Sequence, residues 1–226
     1  MLLIWDFDET LGYRRDGKFS AALQEVMRRA REGLDAPIEE IRPFLQSGYP
    51  WHTPERPHPH IRSADQWWEM LYPAFECACA HFGFTAGEAR AMAWEARAVY
   101  TDPARWALYD DTLPALALLS ARGWRHVVLS NHVPELRAIV EHLGLAPHLA
   151  ALSNSAETGY EKPHPRAFEI VLQRFPGARR VWMIGDSLAA DVEGARRVGI
   201  PAILVRKQHE GVEHCCDSLL EVASIV

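Results

Sequence analysis

Leu2-Leu3-Ile4-Trp5-Asp6-Phe7-Asp8-Glu9-Thr10 is the stretch on which the fold turns. An apolar run this short and without polar alternation suits a strand buried on both faces of a parallel sheet. It ends directly in carboxylates. Three further runs share that character: Val127 to Leu129, Val181 to Ile184 and Ala202 to Val205. A short strand is also expected near Leu149 to Leu152. Helical spacing lies between them. Leu113, Leu116 and Leu119 form one pattern, and Leu136, Ile139, Val140 and Leu143 form another, closed by Gly144. Pro165 to Phe175 stops before Pro176-Gly177, and Leu188 to Val198 ends at Gly199. Strand alternating with helix predicts an α/β fold, a Rossmann-like doubly wound parallel sheet with right-handed crossovers.

From about residue 14 to 105 that rhythm stops, and only helical patterns appear: Phe19 to Arg31, Ile38 to Gln46, Ala64 to Phe82, and Thr85 to Tyr100. The reading is a helical cap, residues 14–104, inserted after the first strand of a core made from 1–13 and 105–226. Within it, Gly48 to Arg62 carries Pro50, Pro54, Pro57 and Pro59 and is barred from regular helix. Long loops of this kind more often serve as lids or binding loops than as idle chain. A last helix is expected from about Cys215 to Ala223, packed on the core.

Composition excludes several classes. The chain has 226 residues, 48% hydrophobic and 24% charged, with a net charge of -6. Its basic residues are dispersed, which argues against nucleic acid and against anionic membrane surfaces as partners. The first apolar stretch is too short for a signal peptide, and no run reaches the ~18 apolar residues of a membrane span. The four cysteines make no disulfide framework. A reduced, cytoplasmic setting is the expectation, as monomer or homodimer.

The polar residues cluster where the predicted strands end: Asp6, Asp8 and Thr10 after the first, Ser130-Asn131 after the second, Gly185-Asp186-Ser187 after the third. Carboxyl ends of parallel strands are where open α/β sheets bind ligands. Asp6, Asp8 and Asp186 offer oxygen donors suited to a hard cation such as Mg²⁺. Lys162 adds positive charge, and Ser130 and Asn131 add hydrogen-bond partners. Such a set suits a phosphoryl group, whose transfer depends on positioning and charge neutralisation.

Four ordered segments carry a resemblance. They are Asp6-Phe7-Asp8-Glu9-Thr10-Leu11, Ser130-Asn131, Lys162-Pro163-His164-Pro165-Arg166-Ala167-Phe168, and Gly185-Asp186-Ser187-Leu188-Ala189-Ala190-Asp191. In order, spacing and strand context they resemble the motifs of the haloacid dehalogenase-like hydrolase superfamily, with a helical type I cap. The resemblance implies a Mg²⁺-dependent hydrolase acting on a small phosphorylated metabolite. Asp6 would be the nucleophile, giving an aspartyl-phosphate. Asp8 would protonate the leaving oxygen and then deprotonate water, its backbone carbonyl also binding metal. Thr10, Ser130 and the Asn131 backbone nitrogen would hold phosphoryl oxygens, and Lys162 would neutralise charge. Asp186 would bind Mg²⁺, and Asp191 would orient the metal shell or Lys162.

Family dehalogenases lack an acid at the position of Asp8, because halide leaves without a proton, so Asp8 points to a phosphatase. A haloacid dehalogenase, a phosphomutase and a non-catalytic binding module remain as alternatives. The residue after Asp8 is commonly glycine, and Glu9 places an extra carboxylate there that would disfavour highly anionic substrates. The pair Trp67-Trp68 resembles one branch of the superfamily, the hydrolase domain-containing proteins, and transfers no specificity.

Plainer readings hold elsewhere. His132 and His164 follow the second and third motifs and are as well explained by packing or solvent as by the site. His52, His58 and His60 match no structural zinc spacing. Cys77 and Cys79 are expected as buried, unreactive thiols. Trp68, Tyr72 and Phe75 read as cap core at helical spacing, while Trp51 and its loop are placed to face a substrate.

Overall fold

The computed structural model describes all residues, 1–226. In chain order the strands are β1 (Leu2–Trp5), β2 (Gly12–Arg14), β3 (Trp106–Leu108), β4 (Arg125–Ser130), β5 (Ala151–Asn154), β6 (Val181–Gly185), β7 (Ala202–Val205) and β8 (Cys215–Cys216). Six of them form one sheet, ordered β5-β4-β1-β6-β7-β8 and parallel at every pairing. β1 lies inside it, with Leu2 opposite Arg125 on one side and Val181 on the other. Leu3 and Trp5 pack into one apolar core and Leu2 and Ile4 into the other. A strand buried on both faces has no reason to alternate in polarity.

The expected fold class holds. The core helices run Thr112–Ala121, Leu136–His142 and Pro165–Arg174, and a π-turn at Leu188–Glu193 leads into Gly194–Arg197. The strand near Leu149 to Leu152 is β5, two residues further along. Between β2 and β3 the chain is helical: Phe19–Ala30, Ile38–Ile41, Ala64–Glu69, Tyr72–His81 and Ala86–Thr101. The run expected over Ala64 to Phe82 is broken after Glu69, and Pro73 starts the next helix where its missing N–H costs nothing. No helix is long and apolar enough to cross a membrane.

Three expectations need correction. β2 and β3 form an antiparallel ribbon where the helical segment leaves and rejoins the core; at three residues each they carry too little pattern to read. The region from Cys215 onward is not one helix. It gives β8, then a turn at Leu219–Glu221 and a short helix at Val222–Ile225. Cys79 is buried, and burial pushes its thiol up to about 12, but Cys77 is exposed.

The helical layer packs on the same core as one face of the sheet. Phe19 stacks on Tyr100 at 3.8 Å, Tyr49 stacks on Trp51 at 4.8 Å, and Trp67 and Trp68 are wholly buried. A polar tie crosses between the layers at Glu135, which follows β4. Its carboxylate accepts from Trp68 Nε1 at 3.1 Å and from Arg97 Nη2 at 2.9 Å.

β1 is also pinned to β4 by a buried polar chain. Trp5 Nε1 donates to His126 Nδ1 at 3.0 Å, and His126 Nε2 donates to the Leu116 carbonyl at 3.1 Å. The ring is therefore needed neutral, and burial lowers its pKa to about 4. The unfolded chain would protonate it near pH 6.5. A depressed pKa adds stability that is complete above 6.5 and drains away as pH falls towards 4. Comparing wild type with His126→Asn in urea unfolding isolates this term. The stability advantage of wild type should shrink by about 2 kcal/mol between pH 7 and pH 4.5; a constant difference would contradict a neutral buried ring.

Candidate active site

β1, β4 and β6 end side by side, and each delivers polar residues to one edge. Lys162, from the loop after β5, lies at the centre of what they form. Its ammonium donates to Asp6 Oδ1 at 2.8 Å and to Asp191 Oδ1 at 2.6 Å. Lys162 and Asp191 are buried, and Asp6 is only 8% exposed. Burial opposes the lysine's charge, but Asp191 and Asp6 outweigh it and hold its pKa above the usual lysine range. Burial raises the pKa of Asp191 against the pull of Lys162.

The backbone around this pair is built for it. The Asn131 side chain clamps the Lys162 backbone at both its N–H and its carbonyl. Oδ1 accepts from the Lys162 N–H at 2.7 Å, and Nδ2 donates to the Lys162 carbonyl at 2.8 Å. Asp191 Oδ2 accepts from the Ser187 N–H at 3.0 Å. Gly185 lets that carboxylate in, because a Cβ there would stand 2.1 Å from Asp191 Oδ2. His164, one of the two doubtful histidines, is a helix cap: its Nδ1 accepts from the Arg166 N–H at 3.1 Å.

Asp8 stands beside this cluster and is partly buried. Burial raises its pKa to about 6, against the pull of Lys18, whose ammonium lies 3.3 Å from Oδ2. Glu9 has a left-handed backbone, φ 59°. That conformation favours glycine and costs other residues about 1 kcal/mol or more. Its side chain gains anchors in return. Tyr109 donates to Oε2 at 2.9 Å, and Lys18 sits 3.5 Å from Oε1. Arg206 stacks over Tyr109 at 3.6 Å and donates to the Thr10 carbonyl at 3.0 Å. Its backbone is also left-handed, φ 61°.

All of this opens on a cavity of about 1040 Å³. Asp6, Asp8, Asn131, Lys162, Asp186 and Asp191 line it, as the sequence predicts for one site. Thr10 and Ser130 are absent from its wall. Both are buried, and their hydroxyls have no hydrogen-bond partner. Lys18, Tyr49, Trp51 and Tyr100 also line it, from the helical segment. His132 lines it too, edge-on to Phe7 at 5.7 Å, and burial lowers its pKa to about 4.

One group of three ligand-type side chains comes close enough to share a cation: Asp6, Asp186 and Asp191, with oxygens within 4.8 Å of one another. The donors are all carboxylate, as a hard cation requires. Asp8 does not join this group through its side chain, and the histidines of the Pro-rich loop form none. Asp186 is meanwhile paired with Lys207 at 2.6 Å. Sequence reasoning missed Lys207, Lys18 and the Asn131 clamp; each depends on chain folding that no local pattern reports.

A family profile described as haloacid dehalogenase-like hydrolase matches residues 1–199. The chain belongs to the haloacid dehalogenase-like hydrolases. The chain is similar to the phosphoserine phosphatase of Thermus thermophilus, 31% identical over 220 residues, with 90% of this chain and 88% of that protein covered. It is also similar to human haloacid dehalogenase-like hydrolase domain-containing protein 3, 27% identical over 212 residues, covering 90% of this chain and 81% of that one. Among solved structures it shares its fold with the HAD-hydrolase YfnB from Bacillus subtilis, at a TM-score of 0.73 and 18% identity. That match covers 99% of this chain and 97% of the other.

The close approach at Gly185 yields a stability test. Gly185→Ala forces Asp191 away from Lys162 and Ser187, and should lower the unfolding free energy by about 1–3 kcal/mol. An unchanged urea midpoint would mean that Asp191 is not held against the Gly185 backbone.

Proposed function

We propose that this hydrolase is a Mg²⁺-dependent phosphatase of a small phosphorylated metabolite, with residues 14–104 acting as a cap over a core of 1–13 and 105–226. The observation that carries the reading is the buried bridge from Lys162 to Asp6 and Asp191 on a cavity wall shared with Asp8. The activity named for the Thermus relative, a phosphoserine phosphatase, supports a phosphomonoester.

Lys162 occupies Asp6 Oδ1, which leaves Oδ2 to attack phosphorus. As the new bond forms, the ester P–O bond breaks, and Asp8 gives its proton to the departing oxygen. A pKa near 6 keeps part of Asp8 protonated close to neutrality. Asp8 then takes a proton from water, the water oxygen bonds to phosphorus, and the bond to Asp6 breaks to release phosphate. The partnerless hydroxyls of Thr10 and Ser130 would donate to phosphoryl oxygens as these gain charge. Asp6, Asp186 and the Asp8 carbonyl would hold Mg²⁺, with Asp191 holding Lys162 beside them. Bound there, Mg²⁺ supplies further neutralisation of phosphoryl charge. The aromatic wall of Tyr49, Trp51 and Tyr100 would exclude bulk water while the cap is closed.

Phosphate release from a panel of phosphorylated metabolites and an aryl phosphate, with Mg²⁺ or EDTA, tests this directly. Turnover should need Mg²⁺ and fall by more than about 1,000-fold in Asp6→Asn. Absence of turnover on every ester by folded wild type would sink the phosphatase reading. Asp8→Asn should lose alkyl esters far more than the aryl ester, whose leaving group needs little protonation; equal losses would remove the acid role. Trp51→Ala should reorder the metabolite ranking while changing kcat/KM on the aryl phosphate by less than about threefold. Equal loss on all substrates would make Trp51 structural.

A further inference from the structure

Trp51 and its neighbours turn one side of the Pro-rich loop towards the cavity. The other side of that loop is fastened to the segment that carries Lys162. His58 Nε2 donates to Glu161 Oε1 at 3.1 Å, and the His58 N–H donates to the Gly159 carbonyl at 2.8 Å. Gly159 permits the contact: a Cβ on it would stand 2.4 Å from the Pro59 nitrogen. Both members of the pair are buried, His58 at 5% and Glu161 at 2% exposure.

The pair is an expensive way to fasten a loop. Glu161 Oε2 and His58 Nδ1 are buried with no partner at all. Each such orphan costs stability, and apolar side chains of the same volume would dock the loop at least as well. What apolar side chains would not provide is a fixed direction. Glu161 immediately precedes Lys162, and its own carbonyl accepts from the His164 N–H at 2.8 Å. From the β4 side, Asn131 fixes the Lys162 peptide with two hydrogen bonds. From the cap side, the hydrogen bonds to the preceding residues both come from His58, through its ring to Glu161 and through its N–H to the Gly159 carbonyl.

We infer that Glu161 and His58 are positioning residues for Lys162: the tie between them makes the Pro-rich cap loop and the lysine-bearing segment 159–162 one rigid unit, so that docking of the loop sets the lysine against Asp6. This rests on the phosphatase reading for its catalytic consequence but not for its mechanical one. Neither residue touches the substrate. The expected signature is therefore a loss in kcat with KM preserved, because Lys162 acts on developing charge rather than on substrate capture.

Two measurements on the full chain test it. In steady-state hydrolysis of an aryl phosphate, His58→Ala and Glu161→Ala should each lower kcat about tenfold and leave KM within about twofold. The double variant should be no worse than either single one. Glu161→Gln keeps an acceptor for His58 and should recover most of the rate. In amide hydrogen exchange, both alanine variants should speed exchange across residues 157–164, and His58→Ala must do so although it lies far away in sequence. Thermal unfolding confirms that each variant is folded at the assay temperature. Unchanged kcat in the folded alanine variants, or unchanged exchange over 157–164 in His58→Ala, overturns the inference. If wild type hydrolyses no phosphomonoester, the phosphatase reading falls, and the exchange result alone decides whether loop and segment are coupled. Should Glu161→Ala fail to fold, His58→Ala carries both arms.

Discussion

Carboxylates do not gather in a protein interior unless something holds them there. Here Asp6, Asp186 and Asp191 bring oxygens within 4.8 Å of one another, and uncompensated they would repel and take up protons. The buried Lys162 ammonium offsets two of them and Lys207 the third. Much of the local architecture follows from that need. Asn131 spends its whole side chain on the Lys162 backbone, Gly185 gives up a side chain so that Asp191 can approach, and the Ser187 N–H takes the oxygen that Lys162 leaves free. A cation bound among these groups would enter a site whose charge is already partly balanced, so its affinity would reflect competition with two lysines as well as attraction to three acids.

The sheet and the polar residues at its edge are readable for one reason. Each strand of a doubly covered parallel sheet is a bare apolar run, and its end is marked by an abrupt change to polar residues. Trp5-Asp6 and Leu129-Ser130 show that change clearly. Where no such step exists the reading failed. Gly12-Tyr13-Arg14 and Trp106-Ala107-Leu108 pair across a long insertion, and two-residue β8 owes its existence to the neighbouring edge of β7. The role expected of the Asn131 backbone said nothing of its side chain. Thr10 and Ser130 belong to the motifs, yet neither is among the residues that line the cavity, and both hydroxyls are buried without a partner. Glu9 was visible as a departure from the family pattern. That it carries a strained backbone, anchored by Tyr109 and Lys18, emerges only once a residue a hundred positions later folds against it.

The helical segment shows how one loop serves two surfaces. Proline keeps residues 48–62 out of regular helix, so successive side chains are free to point in unrelated directions. Tyr49 and Trp51 stack and face the cavity, whereas His58 turns towards the core. A helix of that length would expose such residues at a fixed angular step; an irregular loop has no such restriction. Besides the shared apolar core and the Lys18 bridge to Asp8, the helical layer is tied to the core at two carboxylates, Glu135 following β4 and Glu161 following β5.

The placing of β1 has a consequence for the order in which the chain assembles. Leu2 pairs with Arg125 and with Val181, while the helices between β2 and β3 make their contacts mainly with one another. During synthesis from the N-terminus, β1 emerges first and stays without a partner until the helical segment is complete and β4 follows it out. Local helical contacts form quickly, and pairings that close long loops form slowly. The strand carrying Asp6 therefore waits, apolar and unpaired, through most of translation. Asp6 meets Lys162 only after 162 of the 226 residues have been made.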